Sequence, residues 1–117
     1  MPTPRYRPRD YAFDDLDFGK EPAIRWRHPD SFVGRESEDQ LAAARVQHQA
    51  ALDVRARLRA RFLTVAEFCD HQAVSAVRWR ALLNGDAVMR LEDLAFVQRT
   101  LGVRLSELDL ARRGPSE

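Results

Sequence analysis

LTVAEFCDHQAVSAVRWRALLNG, residues 63 to 85, decides how the rest of the chain is read. Thr64 stands three residues before Glu67, the spacing at which a hydroxyl and a carboxylate close a helix start reciprocally, so a short helix is predicted from Val65 to about His71. Ser75 can N-cap a second helix running to about Leu83, and Asn84-Gly85 is a strong C-terminal stop. Phe68, Cys69, Val74, Trp79, Leu82 and Leu83 supply the inward faces. The second helix carries Arg78 and Arg80 and no acid. A cationic helix anchored by an apolar face is what a protein needs to enter a major groove and hold its phosphate rim.

The chain around it has 117 residues, room for one domain with a single modest core. At 44% hydrophobic and 32% charged residues it has the composition of a soluble globular protein. One cysteine, Cys69, rules out an intrachain disulfide and any cysteine-rich zinc site. No apolar run approaches transmembrane length, and the first ten residues, MPTPRYRPRD, lack a signal-peptide apolar region. The expectation is a cytoplasmic protein with no membrane contact, nucleoid-associated when bound to DNA.

The net charge of +1 hides an uneven distribution. Residues 1 to 40 hold 7 basic and 9 acidic residues, residues 41 to 90 hold 8 and 4, and residues 91 to 117 hold 4 and 5. The positive field therefore centres on the helical pair. Arg55, Arg57, Arg59 and Arg61 contribute half of the central basic residues. They fit a basic surface or simply the solvated face of a helix.

Three regions follow. Residues 1–36 carry five of the six prolines, which forbid a long helix, and six of the ten aromatics (Tyr6, Tyr11, Phe13, Phe18, Trp26, Phe32). That is too many aromatics for a solvated tail. An extended arm is expected, with a short strand at Ala23 to Arg27, lying on its own chain, a second subunit or another protein. Residues 37–110 form the helical domain, and 111–117 a tail. Within the domain, residues 37–62 contain no Gly or Pro and predict one long helix, with Ser37 and Gln40 at capping-box spacing. Val46, Ala50, Val54, Leu58 and Phe62 recur every four residues as an apolar stripe, which Leu41, Ala44 and Ala51 broaden. Alanines in its N-terminal half allow a partner helix or the aromatic arm to approach closely. His48, between two glutamines, is expected to be a half-exposed surface residue. Beyond Gly85, a helix is predicted from Leu91 to Leu101 with Gly102 ending it, and a last turn over Leu105 to Leu110.

The frame LTVAEF…AVS…LLNG…LEDL…LGVRLSEL resembles the Cro/lambda-repressor-like (Xre-type) helix-turn-helix domain, without gaps, over roughly residues 63–108. The resemblance implies an all-α bundle, here preceded by a long helix and the extended arm. It also implies a transcriptional regulator, mostly a small repressor, that binds operator DNA as a homodimer. In that frame Thr64 to His71 is the positioning helix, Ser75 to Leu83 the recognition helix, and the loop after Gly85 follows the DNA backbone. The chain departs from the pattern in four places. Val65 stands where the family often has Gln, and Gln98 where it has a small alanine. Ala73 takes the turn position usually given to Gly, at a cost of about 1 kcal/mol or less if the left-handed angles are kept. Trp79 fills a core position usually held by a smaller aliphatic residue.

With Val74, Trp79, Leu82 and Leu83 inward, the outward set of the recognition helix is Ser75, Ala76, Val77, Arg78, Arg80, Ala81 and Asn84. Arg80 is the expected base reader, since a bidentate arginine–guanine pair contributes roughly 1–3 kcal/mol of discrimination, while Ala or Val can meet a thymine methyl. Ser75 is expected on a phosphate and Arg78 on either a base or a phosphate. Thr64, Asn84 and Arg90 complete the DNA-binding set, with Asn84 and Arg90 as backbone candidates. No phosphate loop, nucleophile elbow or HExxH pair is present, so an enzyme is not expected, nor any cofactor or metal. Cys69 and His71 diverge by about 200° on one helix and cannot share a ligand; Cys69 is read as a buried inert thiol. Asp14, Asp15 and Asp17 lack a histidine or glycine-centred loop. The alternative function is a protein-interaction adaptor or antitoxin-like accessory regulator, whose acidic arm (residues 1–36) docks a protein partner.

Overall fold

The computed structural model describes residues 6–27 and 35–104. They form four α-helices: α1 (Arg35–Ala60), α2 (Val65–Gln72), α3 (Ala76–Asn84) and α4 (Leu91–Leu101). No strand occurs among the described residues. The expected turn at 105–110 and the tail at 111–117 lie outside them, as does Phe32. α1 begins at Arg35, so Ser37 lies inside the helix and is not its cap.

The first three helices stop in the same way. A residue in the left-handed region follows the last turn, and the next N–H reaches back five residues to a carbonyl. The bonds are Leu63 to Leu58 (2.9 Å), Val74 to Cys69 (3.0 Å) and Asp86 to Ala81 (2.8 Å). Gly85 (φ 78°) adopts that conformation without steric cost, and so does Gly102 (φ 81°) after α4. Phe62 (φ 57°) and Ala73 (φ 56°) adopt it against the preference of any residue with a Cβ. The Ala73 geometry is as the sequence implied. Phe62 is a correction: the chain leaves the helix at Ala60, so its ring falls out of the apolar stripe and is 93% exposed.

The main core joins Ala50, Ala51, Val54 and Leu58 of α1 to Phe68, Cys69, Trp79, Leu82, Leu83, Met89, Val97, Leu101 and Val103. Trp79 packs against Phe96: the rings lie 5.4 Å apart and tilted, and Phe96 also meets Phe68 at 5.8 Å. One buried polar residue organises the α3–α4 loop. Gln47 Nε2 donates to Leu82 O and Ala87 O, and its Oε1 accepts from Met89 N–H, all at 2.8 Å. Three of its four hydrogen-bonding positions are thus filled by backbone groups of this loop and its flanks.

Over its described residues the N-terminal segment is not an extended arm. Residues 6–27 contain two 3-10 turns, Pro8–Tyr11 and Asp15–Asp17, and fold back on α1. The expected strand at 23–27 reduces to one antiparallel bridge, Ala12 with Trp26, flanked by Phe13 N to Arg25 O and Arg27 N to Tyr11 O. Tyr11 and Phe18 form a second cluster with Leu41 and Ala44, which Tyr6 and Trp26 border. The small alanines of α1 admit the segment at close range. A Cβ on Gly19 would lie 2.0 Å from Leu83 O, and one on Gly85 would meet the Phe18 ring at 2.6 Å. Both glycines have positive φ, so each is required by conformation and by space. His48 is a second correction. The returning segment covers it, and its Nδ1 accepts the Gly19 N–H at 2.8 Å.

Candidate nucleic-acid interface

Both members of the helical pair start as the sequence dictates. Thr64 Oγ1 accepts from Glu67 N–H (3.1 Å), while the Glu67 carboxylate accepts from Thr64 N–H (2.9 Å). That second bond holds the Glu67 carboxyl below its usual range. Ser75 Oγ accepts from Arg78 N–H at 3.1 Å. The hydroxyls of Thr64 and Ser75 therefore fix helix starts, and both residues remain exposed.

Around α3 the buried side is Trp79, Leu82 and Leu83. On the opposite side Val77 is 76% exposed and Arg80 is exposed. Val77, Arg80, Ala81 and Asn84 share one face at helical spacing. Ala76 and Ala81 are half-buried, and Ala76 touches the core. An exposed valine beside an arginine without a partner among the described residues, on a helix with no acid, is a surface that folding alone does not require.

Arg78 and Asn84 sit differently from what the outward set implied. Arg78 Nη2 donates to Asp93 Oδ2 at 2.6 Å, and that carboxylate also accepts Arg90 N–H at 2.9 Å. Asp93 occupies the third position of α4, so one buried carboxylate caps α4 and ties it to α3. Burial alone would raise its carboxyl pKa, but the bonds and charges of Arg78 and Arg90 outweigh that and hold it below the ordinary range. Asn84 Oδ1 accepts from Arg55 Nη2 at 2.8 Å, which joins the end of α3 to α1. Both are half-buried, and sequence periodicity gave no sign of these partners, 15 and 29 residues away. Arg90 is exposed, with its Nε 3.8 Å from Asp93.

The loop after Gly85 is committed on one side to the N-terminal segment. Arg9 N–H donates to Gly85 O (3.0 Å) and Arg9 Nη1 to Asp86 (2.8 Å), with Arg7 3.9 Å from the same carboxylate. Arg9, which the sequence did not single out, thus neutralises the loop acid.

The arginine run of α1 divides by face. Arg57 donates to Asp53 (2.9 Å) and to Leu101 O (3.0 Å), and Arg61 donates to Thr100 O (3.1 Å), so both close the C-terminal end of α4. Arg55 and Arg59, one turn apart, point instead into a cleft of about 170 Å³ lined by Leu58, Leu63, Thr64 and Val65. Arg55 is half-buried, its Nε has no partner, and burial together with the neighbouring Arg59 charge pushes its pKa down.

Cys69 is buried, and burial raises its thiol pKa, the nearby Arg80 charge acting in the opposite sense. Among the described residues no group of three or more His, Cys, Asp or Glu could hold a metal ion, and no helix is long and apolar enough to cross a membrane. A cleft of about 510 Å³ on the N-terminal segment is lined by Phe13, Asp14, Asp15, Asp17, Ala23, Ile24 and Arg25, with the Arg25 guanidinium 4.3 Å above the Phe13 ring. No known protein family matches the chain, and neither a curated protein nor a solved structure matches it.

Proposed function

We propose that the chain is a sequence-specific DNA-binding transcriptional regulator, a small repressor, in which α2 and α3 form a helix-turn-helix of the Cro/lambda-repressor-like type and α3 enters the major groove. One observation carries the reading. The exposed face of α3 presents Val77 and an uncommitted Arg80 on a helix whose opposite side is locked into the core by Trp79, Leu82 and Leu83. Rigid presentation of a cation and an apolar side chain at helical spacing suits a guanine edge and a thymine methyl. In this reading Arg80 reads a base. Arg78, held by Asp93, orients α3 against α4 and reaches a phosphate only with its remaining donors. Ser75, Thr64 and Arg90 border the phosphates.

Selection of bound duplexes from a random pool, read by sequencing, tests the proposal. An enriched half-site repeated as a palindrome would establish both the operator and the expected homodimer. Arg80→Ala should then weaken the complex and relax preference at one base position, and a variant with wild-type preference at every position removes Arg80 from base reading. No enrichment at all favours the second reading, an adaptor that docks a protein partner through the N-terminal segment. What favours that reading is the exposed pair Phe13 and Leu16 beside Asp14, Asp15 and Asp17, a surface of the wrong sign for DNA.

A further inference from the structure

We infer that copies of this chain join through two unlike surfaces. The Phe62 ring and the arginines at the end of α1 in one copy seat in the acidic, aromatic-walled cleft on the N-terminal segment of another. The inference goes beyond the DNA-binding reading and does not depend on it.

Phe62 combines a strained backbone with an exposed ring, and the fold uses neither. Its φ of 57° is a conformation that glycine adopts freely and that a residue with a Cβ resists. Its ring is 93% exposed and stands outside the core. The charge around it has one sign, since residues 54–66 hold four arginines and no acid. Arg57 is paired with Asp53. Arg59 is exposed without a hydrogen bond or ion pair to the described residues, and Arg61 stays exposed after giving one donor to Thr100 O.

The complementary surface lies on residues 13–25. Phe13 is 63% and Leu16 65% exposed, and Phe13 and Ile24 wall the cleft of about 510 Å³ that also holds Asp14, Asp15 and Asp17. A volume of this order accommodates a ligand-sized group. The one cation of its lining, Arg25, is laid over the Phe13 ring, and of the three carboxylates only Asp15 has a described cation near it, Arg9 Nε at 3.5 Å. Surplus negative charge beside exposed apolar side chains thus faces, on another copy, surplus positive charge beside an exposed ring. The N-terminal segment rests on α1 at Gln40, Ala44 and His48, whereas Phe62 follows its last turn. From Ala44 to Ala60 the helix rises about 24 Å, which sets a copy's ring away from its own cleft. Seating Phe62 against Phe13 removes two rings from water, and the facing charges orient the contact.

Phe62→Gly is the informative variant, because folding and association should respond to it differently. Glycine relieves the positive φ and removes a ring that folding leaves exposed, so the variant should melt no lower than the wild type. Sedimentation equilibrium of the full chain without DNA should show the wild-type average mass rising with protein concentration and falling with added salt. Phe62→Gly and Phe13→Ala should each lose that rise. The first keeps the cleft and the second keeps the ring, so an equimolar mixture should regain an association that neither variant shows alone. A wild-type mass independent of concentration, a Phe62→Gly variant that associates as the wild type does, or a mixture that regains nothing would overturn the contact. Unchanged association together with weaker duplex binding in Phe62→Gly would also overturn it, and would assign the ring to DNA.

Discussion

Residues 63–104 and residues 6–27 are attached to the same long helix by different means. The first region is anchored by apolar side chains of α2, α3 and α4 that meet α1 in one continuous core, with each helix end closed by its own neighbours. The second rests on a smaller aromatic cluster and on single polar bonds to distant partners: Gly19 N–H to His48, Tyr11 OH to Gln40, Arg9 to Gly85 and Asp86. The dependence runs one way. The N-terminal segment rests on the Leu83 carbonyl and on Gly85, so it needs α3 in place, whereas the core residues of α3 make their contacts without it.

Breaking the first region should therefore have the largest effect. Trp79→Ala removes a side chain that is 3% exposed and leaves Phe96 facing a void, at an expected cost of roughly 3–5 kcal/mol. Chemical denaturation should show a lower midpoint by every probe, including Trp26 fluorescence, because the segment loses its platform together with α3. An equally stable variant would mean that the core does not depend on α3 in this orientation.

Phe18→Ala sharpens the comparison from the other side. Phe18 is fully buried between Gly85, Trp26 and His48, and its loss should cost the second region roughly 3 kcal/mol. The expected result is local. Amide exchange should accelerate at Gly19, Phe13 and Arg27, while amides in the middle of α2, α3 and α4 keep their protection. Equal loss of protection in both regions would show them to be one cooperative unit.

The two regions also differ in how far they could be read from sequence. In residues 63–104 the signals are local: Thr64 with Glu67, Ser75, Gly85 and Gly102 each act within four residues, and the helix bounds match expectation to within one residue. Trp79 and Cys69 are buried as their helical phase required. Residues 6–27 offered proline and aromatic content, which exclude a helix but do not say where the segment goes. Its course is set by contacts 29 residues away at His48 and more than 70 away at Asp86, and local spacing cannot encode those. For the same reason His48 looked like a surface residue: its cover comes from another part of the chain. At the candidate interface, the exposure of Val77 and Arg80 followed from helical phase. The commitment of Arg78 to Asp93 and the division of the α1 arginines did not, since those depend on which helix lies alongside.

The smallest expected effect is a pH dependence confined to the second region. His48 is buried against Phe18 and Trp26, its Nδ1 accepts from Gly19 N–H, and its Nε2 has no hydrogen-bond partner. Burial lowers its pKa below the ordinary 6.5, and the carbonyls of Glu21 and Pro22 and the charge of Asp17 only partly oppose this. The folded protein thus holds His48 neutral at a pH where the unfolded chain has already taken up a proton. The unfolded state binds more protons between those two pKa values, so stability is fully present above 6.5 and declines as pH falls below it toward the folded value. Protonation also removes the lone pair that receives Gly19 N–H, which directs the loss to the segment. Thermal melts from pH 8 to pH 5 should show this decline in the wild type. His48→Gln, which keeps an acceptor but does not titrate, should flatten it. If His48→Gln declines as steeply as the wild type, the segment is not held through the neutral imidazole, and its attachment rests on Phe18 and the aromatic cluster alone.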